Sequence, residues 1–195
     1  MDQEVIYWKC TTYLPPPNQI VGVDISQQMI DLAHNKVPKS IKLLKTDGTN
    51  LPFEDNSFDI VFTATVLQHN TDEIMLKALV KEISRVSSQQ VIFFERIELS
   101  IKGDELNYGR PVSYYQDLMK QTGFELKSVK YINIFCSYLV SGIIRKVFNR
   151  KSRQEGEALN SFSVLMQKAS LPLTRLLDNL ITSKTDLGRL VFTKV

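Results

Sequence analysis

Two aspartates in this sequence stand where a parallel sheet can hold a nucleotide. Asp24 ends a short apolar run at residues 19–24, and Asp47 follows a strand-like stretch at residues 39–46. A carboxylate at a strand tip can accept hydrogen bonds from both hydroxyls of a ribose, and a turn carboxylate can accept one from an adenine amino group. Both also have an ordinary interpretation, because Asp24 can cap the next helix and Asp47 can form an Asx turn before Gly48.

His69 is the best candidate for a general base, or for a group that orients an acceptor, because an imidazole can move protons near neutral pH. The alternative is that His69 caps a helix beginning near Asp72, whereas His34 lies on a predicted surface helix and is simply solvated. The two cysteines, Cys10 and Cys136, lie far apart and lack metal-ligand spacing, so no metal or disulfide framework is expected.

The elements that must position these residues alternate between strands and helices. Strand-like runs occupy residues 19–24, 39–46, 58–63, 91–94, 126–134 and 189–195, with helical patterns after Ser26, at 72–86, and from Pro111 to near Gly123. This alternation predicts a Rossmann-like α/β fold with a doubly wound, mostly parallel sheet and an antiparallel terminal strand. Ligands bind beyond the carboxyl ends of such strands, where residues 24–26, 47–51 and 63–70 fall.

The bulk properties fit one compact domain. A chain of 195 residues with 43% hydrophobic content predicts a single domain over residues 1–195. Residues 137–183 interrupt the alternation with helical composition, so we expect a helical insertion or lid there. No apolar run approaches the roughly 20 residues that cross a bilayer, and the N-terminus does not resemble a signal peptide. A cytoplasmic location is therefore expected.

The positive charge is local. The net charge is +3, but five basic residues without an acid among them lie within residues 145–153: Arg145, Lys146, Arg150, Lys151 and Arg153. The remainder of the chain is slightly acidic, which argues against a nucleic-acid partner. The stretch 135–153 joins an apolar half to this basic cluster. That combination suits peripheral contact with an anionic membrane or capture of a lipid-like acceptor, and a solvated helix end is the alternative.

Several motifs in series carry a family resemblance. The run VGVDIS at residues 21–26 is followed by LAHNK, by TDGTNLPFEDNSFDIVFT at residues 46–63, and by VLQH at residues 66–69. This order resembles the ubiquinone/menaquinone-type class I methyltransferases, the methyltransferase type 11 family, over about residues 19–95.

The resemblance implies an S-adenosylmethionine-dependent enzyme that methylates a small-molecule or lipid-like acceptor. It places the ribose on Asp24, the adenine face on Ile25, and the adenine edge on Asp47, Gly48 and Thr49. It also places Thr63 and the residues up to His69 opposite the methionine moiety and the acceptor. Tyr108, Arg110, Tyr114 and Tyr115 follow the fifth strand-like run, where this fold often builds acceptor pockets; ordinary packing explains them equally well.

The chain departs from this family upstream of residue 19. Residues 5–10 can form the family's first strand, but Thr11-Thr12-Tyr13-Leu14 replaces its glycine turn. Glycines there permit positive φ and close approach of the backbone, and the following helix start favours the cofactor's carboxylate. Three explanations stay open: a truncated relative, a degenerate fold member acting as a binding or partner subunit, or an active enzyme with an unusual cofactor loop.

A nicotinamide-dependent dehydrogenase is a further alternative, since it would also use an acid such as Asp24. It would require a glycine fingerprint, which is equally absent, and no tyrosine is followed four residues later by lysine. The acceptor, the atom that is methylated and the oligomeric state are not encoded in any motif that we recognise.

Overall fold

The computed structural model describes residues 16–149, 159–181 and 184–195. The strand predicted at residues 5–10 and the sequence that replaces the glycine turn at residues 11–14 lie outside the described residues. So do Arg150, Lys151 and Arg153 of the basic cluster. The described chain enters its first strand through a short 3₁₀ turn, Pro17–Gln19.

The first described unit is a βαβ unit. Strand β1 (Val21–Asp24) and strand β2 (Lys42–Lys45) pair in parallel, and helix α1 (Gln27–His34) connects them. Ser26 caps α1, because its hydroxyl oxygen accepts a hydrogen bond from the Met29 amide at 3.4 Å. The register pairs Asp24 with Lys45, so both strands end at the same edge.

The remaining elements build a four-stranded sheet and its flanking helices. In chain order they are β3 (Phe58–Ala64), α2 (Glu73–Val86), β4 (Ser87–Ile97), β5 (Lys102–Gly103), β6 (Tyr108–Gly109), α3 (Val112–Lys120), β7 (Phe124–Ile132), α4 (Phe135–Phe148), α5 (Ser161–Leu180) and β8 (Asp186–Lys194). The sheet order is β3-β4-β8-β7, and β5 pairs separately with β6.

The strand directions confirm the predicted α/β fold class. Strand β3 is parallel to β4, and β8 is antiparallel to both β4 and β7. Strands β3, β4 and β7 therefore run the same way, and the terminal strand β8 opposes them. The pairs β1–β2 and β3–β4 supply the parallel part of the fold.

One apolar core holds the four-stranded sheet against helices α2 and α3. Leu76 and Val80, four residues apart on one side of α2, are fully buried in it. At its centre the ring of Phe93 packs against the rings of Tyr115 and Phe192, with centroids 5.8 and 5.3 Å apart. This core gives the strand ends a rigid support.

Helices α4 and α5 lie between β7 and β8 in the chain and pack against each other. They overlap the interval predicted to be helical at residues 137–183, and α4 begins two residues before it. Within the described ranges, no helix combines the length and apolarity that crossing a bilayer requires.

Candidate functional site

The carboxyl edge of β1 and β2 brings two predicted site segments together. Because Asp24 pairs with Lys45, the turn after β2 begins beside the end of β1. The Thr46 amide donates a hydrogen bond to the Asp24 carbonyl oxygen at 3.0 Å, which extends the pairing into this turn. The sequence placed Asp24 and Asp47 on separate strand ends, and the parallel register makes them neighbours along one edge.

In the described part of the chain, one oxygen of the Asp24 carboxylate accepts a hydrogen bond. Its Oδ1 accepts a hydrogen bond from the Ser26 amide at 2.8 Å, which forms an Asx turn at the start of α1. Among residues 16–149, 159–181 and 184–195, none donates a hydrogen bond to Oδ2. The side chain is half-buried, so its second oxygen can accept from a ligand hydroxyl.

Asp47 organises its own turn. Its Oδ1 accepts hydrogen bonds from the amides of Thr49 and Asn50 at 2.8 and 2.7 Å, and from the Thr49 hydroxyl at 3.2 Å. These backbone donors lower the pKa of Asp47 below its ordinary value, so the carboxylate is ionised at neutral pH. Asp47 therefore forms an Asx turn, which was the ordinary interpretation of this residue.

Ile25 and Gly48 form an apolar contact at this edge. The Ile25 side chain is 64% exposed although it is a large hydrophobic residue. Gly48 has φ +82°, and a Cβ there would lie 3.0 Å from Cγ2 of Ile25. A residue with a side chain would therefore be strained at Gly48 and would press on Ile25.

Two residues that the sequence did not single out fix the segment after this turn. The Leu51 amide donates to a Glu82 carboxylate oxygen at 2.9 Å, and Arg85 donates to the carbonyl oxygens of Leu51 and Phe53 at 3.0 and 2.8 Å. Arg85 also pairs with Glu82 at 2.7 Å and with Asp55 at 2.8 Å. Helix α2 thus anchors residues 51–55. An acid and a base three residues apart on one helix, here Glu82 and Arg85, are the sequence signal that could have indicated this role.

The predicted segment 63–69 is organised by a buried carboxylate. Glu95 is fully buried and accepts hydrogen bonds from the Thr63 hydroxyl at 2.8 Å, the Val66 amide at 3.0 Å and the Gln68 amide at 3.1 Å. Burial raises the pKa of Glu95, although these hydrogen bonds act in the opposite direction. Thr63 is itself buried, and its hydroxyl lies in this network.

A strained backbone position lies inside the same segment. Thr65 has φ +56°, the left-handed region that β-branched residues rarely adopt. Its amide donates to the Phe94 carbonyl oxygen at 2.8 Å. The Glu95 hydrogen bonds on either side of Thr65 hold this conformation, which costs of order 1–3 kcal/mol. Such strain is concentrated at ligand sites, which makes the end of β3 a candidate site.

His69 is exposed at the end of this segment. Its Nδ1 lies 3.1 Å from the Leu106 carbonyl oxygen and its Nε2 lies 3.3 Å from Nε2 of Gln68. Because a carbonyl oxygen only accepts, the contact requires the proton on Nδ1, which leaves Nε2 to accept. Asp72 caps α2 by accepting from the Ile74 amide at 2.7 Å, so the alternative that His69 caps this helix is wrong.

Arg110 supports the same segment from the opposite side. It is fully buried and donates to the carbonyl oxygens of Leu67 and Asn70 at 3.0 and 2.9 Å. Its guanidinium also lies over the Tyr108 and Tyr114 rings, 5.5 and 5.4 Å from their centroids. Arg110, Tyr108 and Tyr114 therefore pack together, as the packing alternative expected.

Tyr114 and Tyr115 differ in their surroundings. The Tyr114 hydroxyl donates to Glu73, whereas the buried Tyr115 hydroxyl has no hydrogen-bond partner among the residues that the structure describes. Burial raises the pKa of both phenols, so both are neutral at physiological pH.

The β1–β2 edge, the β3 loop and the sheet order resemble the fold of class I methyltransferases. Comparison with known proteins agrees, since the family described as "Methyltransferase domain" matches residues 7–94. The demethylmenaquinone methyltransferase of Staphylococcus aureus is 34% identical over 73 residues, which are 36% of this chain and 29% of that protein. The match thus spans less than a third of that relative.

Solved structures show the same fold over most of the chain. A putative sarcosine dimethylglycine methyltransferase from Galdieria sulphuraria has a TM-score of 0.60 at 18% identity, covering 90% of this chain and 69% of that one. The cyclase SpnF has a TM-score of 0.59 at 18% identity, covering 90% and 66%. The comparisons support the predicted resemblance: residues 7–94 match a methyltransferase domain, and the chain is similar in fold to solved methyltransferases.

Proposed function

We propose that this chain binds S-adenosylmethionine at the carboxyl edge of β1 and β2 and transfers its methyl group to a small-molecule or lipid-like acceptor. The observation that carries the proposal is the parallel register that sets Asp24 beside the turn of Asp47, with exposed Ile25 against Gly48. An acid, an apolar surface and a second acidic turn in one row suit a ribose and an adenine ring.

Each group has a distinct task in this proposal. The second oxygen of Asp24 accepts from the ribose hydroxyls, while Oδ1 stays on the Ser26 amide. The exposed Ile25 side chain packs on the adenine face, and the turn of Asp47, Gly48 and Thr49 meets the adenine edge. The hydrogen bonds inside this turn and the Glu82–Arg85 anchor hold its shape before a ligand arrives, which lowers the entropic cost of binding.

The segment 63–69 faces the reacting end of the cofactor in this proposal. When bound, S-adenosylmethionine supplies an electrophilic sulfonium methyl group, and the protein contributes chiefly by positioning the acceptor in line with it. Glu95 and Arg110 hold the segment rigid from two sides. His69 serves as the base in this proposal: its Nδ1 proton lies on the Leu106 carbonyl oxygen, and its Nε2 would take the proton of the acceptor in place of its contact with the side-chain amide nitrogen of Gln68.

The nature of the acceptor is the finer part of the proposal. The Staphylococcus aureus relative is named for a methyl transfer to demethylmenaquinone, a lipid-like molecule, which supports a lipid-like acceptor here. We extend this to the present chain as a proposal only, because the match covers 29% of that relative.

Calorimetric titration with S-adenosylmethionine, S-adenosylhomocysteine and NADH tests the cofactor assignment. The informative variant is Asp24→Asn, because an amide oxygen can still accept from the Ser26 amide and preserve the turn, while the charge and one acceptor are lost. We expect saturable binding of the two adenosyl ligands but not of NADH. Hydrogen bonds to charged groups are worth about 1.5–3 kcal/mol, so Asp24→Asn should weaken binding at least about tenfold.

Asp117→Ala is the matched control, because Asp117 is an exposed acid on α3. It should leave the affinity unchanged. Equal affinity of Asp24→Asn and Asp117→Ala would contradict the assignment of the ribose to Asp24. Preferential binding of NADH would replace the proposal with the dehydrogenase alternative.

A second candidate function is a non-catalytic partner subunit of the same fold. The observation that favours it is Thr11-Thr12-Tyr13-Leu14, which stands where the resembling family has a glycine turn. A related fold is also used by a protein named as a cyclase, so the fold alone does not fix the activity. Failure of a folded chain to bind either adenosyl ligand would support this candidate over methyl transfer.

A further inference from the structure

The helical pair formed by α4 and α5 has an unusual distribution of polarity. Polar side chains lie between the two helices: Ser163, Thr174 and Asp178 of α5 are all buried. In α4, the buried apolar residue is Ile144. Helices of a water-soluble protein normally bury their apolar stripe and expose the polar one. Helix α5 does the reverse, since its buried side chains are all polar.

Hydrogen bonds near the start of α4 hold one end of the pair. The Asp178 carboxylate accepts from the amides of Cys136 and Ser137 at 2.7 and 3.1 Å and from the Ser137 hydroxyl. It thereby caps the N-terminus of α4 from the neighbouring helix. Burial alone would raise the pKa of Asp178, but these hydrogen bonds outweigh it and lower the pKa.

A second set of hydrogen bonds holds the other end. Asn149 follows α4 and donates through its amide nitrogen to the Ser163 hydroxyl at 2.9 Å, while its oxygen accepts from the Asn160 amide at 2.8 Å. Both ends of the pair are therefore fastened by polar contacts. The apolar side chains are left for the outer surface.

Large apolar side chains form a continuous outer face on each helix, which we call the apolar faces of α4 and α5. Neighbours on each face are adjacent or three or four residues apart, with one gap of seven on α5, and these spacings keep them on one side of the helix. On α4 they are Phe135, Tyr138, Leu139, Ile143 and Val147; on α5 they are Phe162, Leu165, Met166, Leu173, Leu176, Leu177 and Leu180. The Phe148 and Phe162 rings meet at 5.1 Å, so the two faces approach each other at this end.

The exposed charges of the two helices are all positive. Within the described parts of α4 and α5, Lys146, Lys168 and Arg175 are exposed, and the one acid, Asp178, is buried. The sequence continues beyond α4 with Arg150, Lys151 and Arg153. Exposed apolar faces of this extent mark interaction surfaces, and cationic flanks select an anionic partner.

We propose that the helical pair α4–α5 docks this protein on an anionic membrane surface. The apolar faces enter the boundary between headgroups and acyl chains, and the basic side chains contact the headgroups. A second copy of the chain is a poorer occupant, since it would bring the same positive charges together. Docking at α4–α5 does not depend on whether the edge of β1 and β2 binds a cofactor.

Flotation of the full-length chain with lipid vesicles tests the proposal. We expect the chain to float with vesicles containing about 30% phosphatidylglycerol and less with neutral phosphatidylcholine vesicles, and salt should weaken the binding. The double variant Ile143→Asp/Leu176→Asp places a charge on each apolar face at side chains that are 55% and 57% exposed, so the fold should survive. Its vesicle affinity should fall at least about tenfold.

Leu99→Asp/Leu106→Asp is the matched control, because it adds the same two charges at exposed leucines outside the pair. It should bind vesicles within about twofold of the unaltered chain, with both folds checked by circular dichroism. Lys168→Glu/Arg175→Glu should lower affinity for anionic vesicles by about fivefold or more per residue.

Three results would overturn the proposal. One is failure of the folded, unaltered chain to float with anionic vesicles. Another is equal flotation of the Ile143→Asp/Leu176→Asp variant and its control. The third is a dimer in light scattering that only the Ile143→Asp/Leu176→Asp variant dissociates, without vesicle binding, which would assign the apolar faces to a second copy.

Discussion

Replacing Glu95 by leucine should destabilise the chain by removing the acceptor at the centre of the β3 loop. The substitution keeps a side chain of similar size in a fully buried position. It leaves the amides of Val66 and Gln68, now 3.0 and 3.1 Å from the carboxylate oxygens, without an acceptor, and it frees the Thr63 hydroxyl. The strained backbone of Thr65, between these donors, loses its support.

The magnitude follows from the number of orphaned donors. A buried backbone amide without a partner costs about 1–3 kcal/mol, so two of them cost about 2–6 kcal/mol. Part of this loss is offset, because leucine removes the penalty of burying a charge, the same penalty that raises the pKa of Glu95. We therefore expect Glu95→Leu to lower the free energy of unfolding by about 3 kcal/mol.

Urea unfolding followed by circular dichroism measures this difference. Thr63→Val is the paired variant, since it removes one hydroxyl and should cost about 1 kcal/mol. The double variant should be less destabilised than the sum of the two single variants, because both act on one hydrogen bond. Additive effects of Thr63→Val and Glu95→Leu would contradict the network.

The pH dependence provides a second readout of the Glu95 prediction. A carboxyl group whose folded pKa is raised holds its proton more tightly in the folded chain than in the unfolded chain. Its contribution to stability is therefore greatest below the ordinary value of 4.5 and declines as the pH rises through the folded pKa. The gap in stability between the unaltered chain and Glu95→Leu should shrink as pH rises. A Glu95→Leu variant that is as stable as the unaltered chain at every pH would refute this reasoning.

Two further predictions concern the turn after β2. Gly48→Ala should lower the free energy of unfolding by about 1–2 kcal/mol in thermal or urea unfolding, because φ +82° strains alanine and its Cβ would press on Ile25. Gly142→Ala is the comparison, since Gly142 has open space around it in α4. It should stabilise the chain by up to about 1 kcal/mol. Equal effects of the two would show that the turn tolerates a side chain. Glu82→Gln should destabilise the chain at neutral pH, because the hydrogen bond from Arg85 lowers the pKa of Glu82; that loss should fade as the pH falls below the ordinary value of 4.5. A pH-independent difference in urea titrations would contradict the ion pair.

Local signals predicted most elements of the fold correctly. Asp72 and Pro111 stand at the N-caps of α2 and α3, where turn chemistry and helical spacing indicated them. Strand β4 covers Ser87–Ile97 and is longer than the predicted strand at residues 91–94. Its start was not predicted, because α2 passes into it without a turn and its first residues are serines and glutamines. Propensity alone does not detect a helix that passes directly into a strand.

The contacts that hold the site depend on distant residues and could not be predicted. Glu95 ends an apolar run and has the sequence signature of an exposed strand end, yet its donors lie 27–32 residues away. The polar interface of α4 and α5 was missed for a different reason. Apolar periodicity identifies a helix face but does not say whether protein or another medium covers it.

Amide chemical shifts of the isotope-labelled chain, recorded while S-adenosylhomocysteine is added, determine whether the carboxyl edge of β1 and β2 holds the adenosyl ligand. We expect saturable shifts of the Ile25, Gly48 and Thr49 amides at the carboxyl edge of β1 and β2. These shifts should require at least about tenfold more ligand in Asp24→Asn. Shifts confined to other parts of the chain, or none in a folded chain at millimolar ligand, would contradict a cofactor site at this edge.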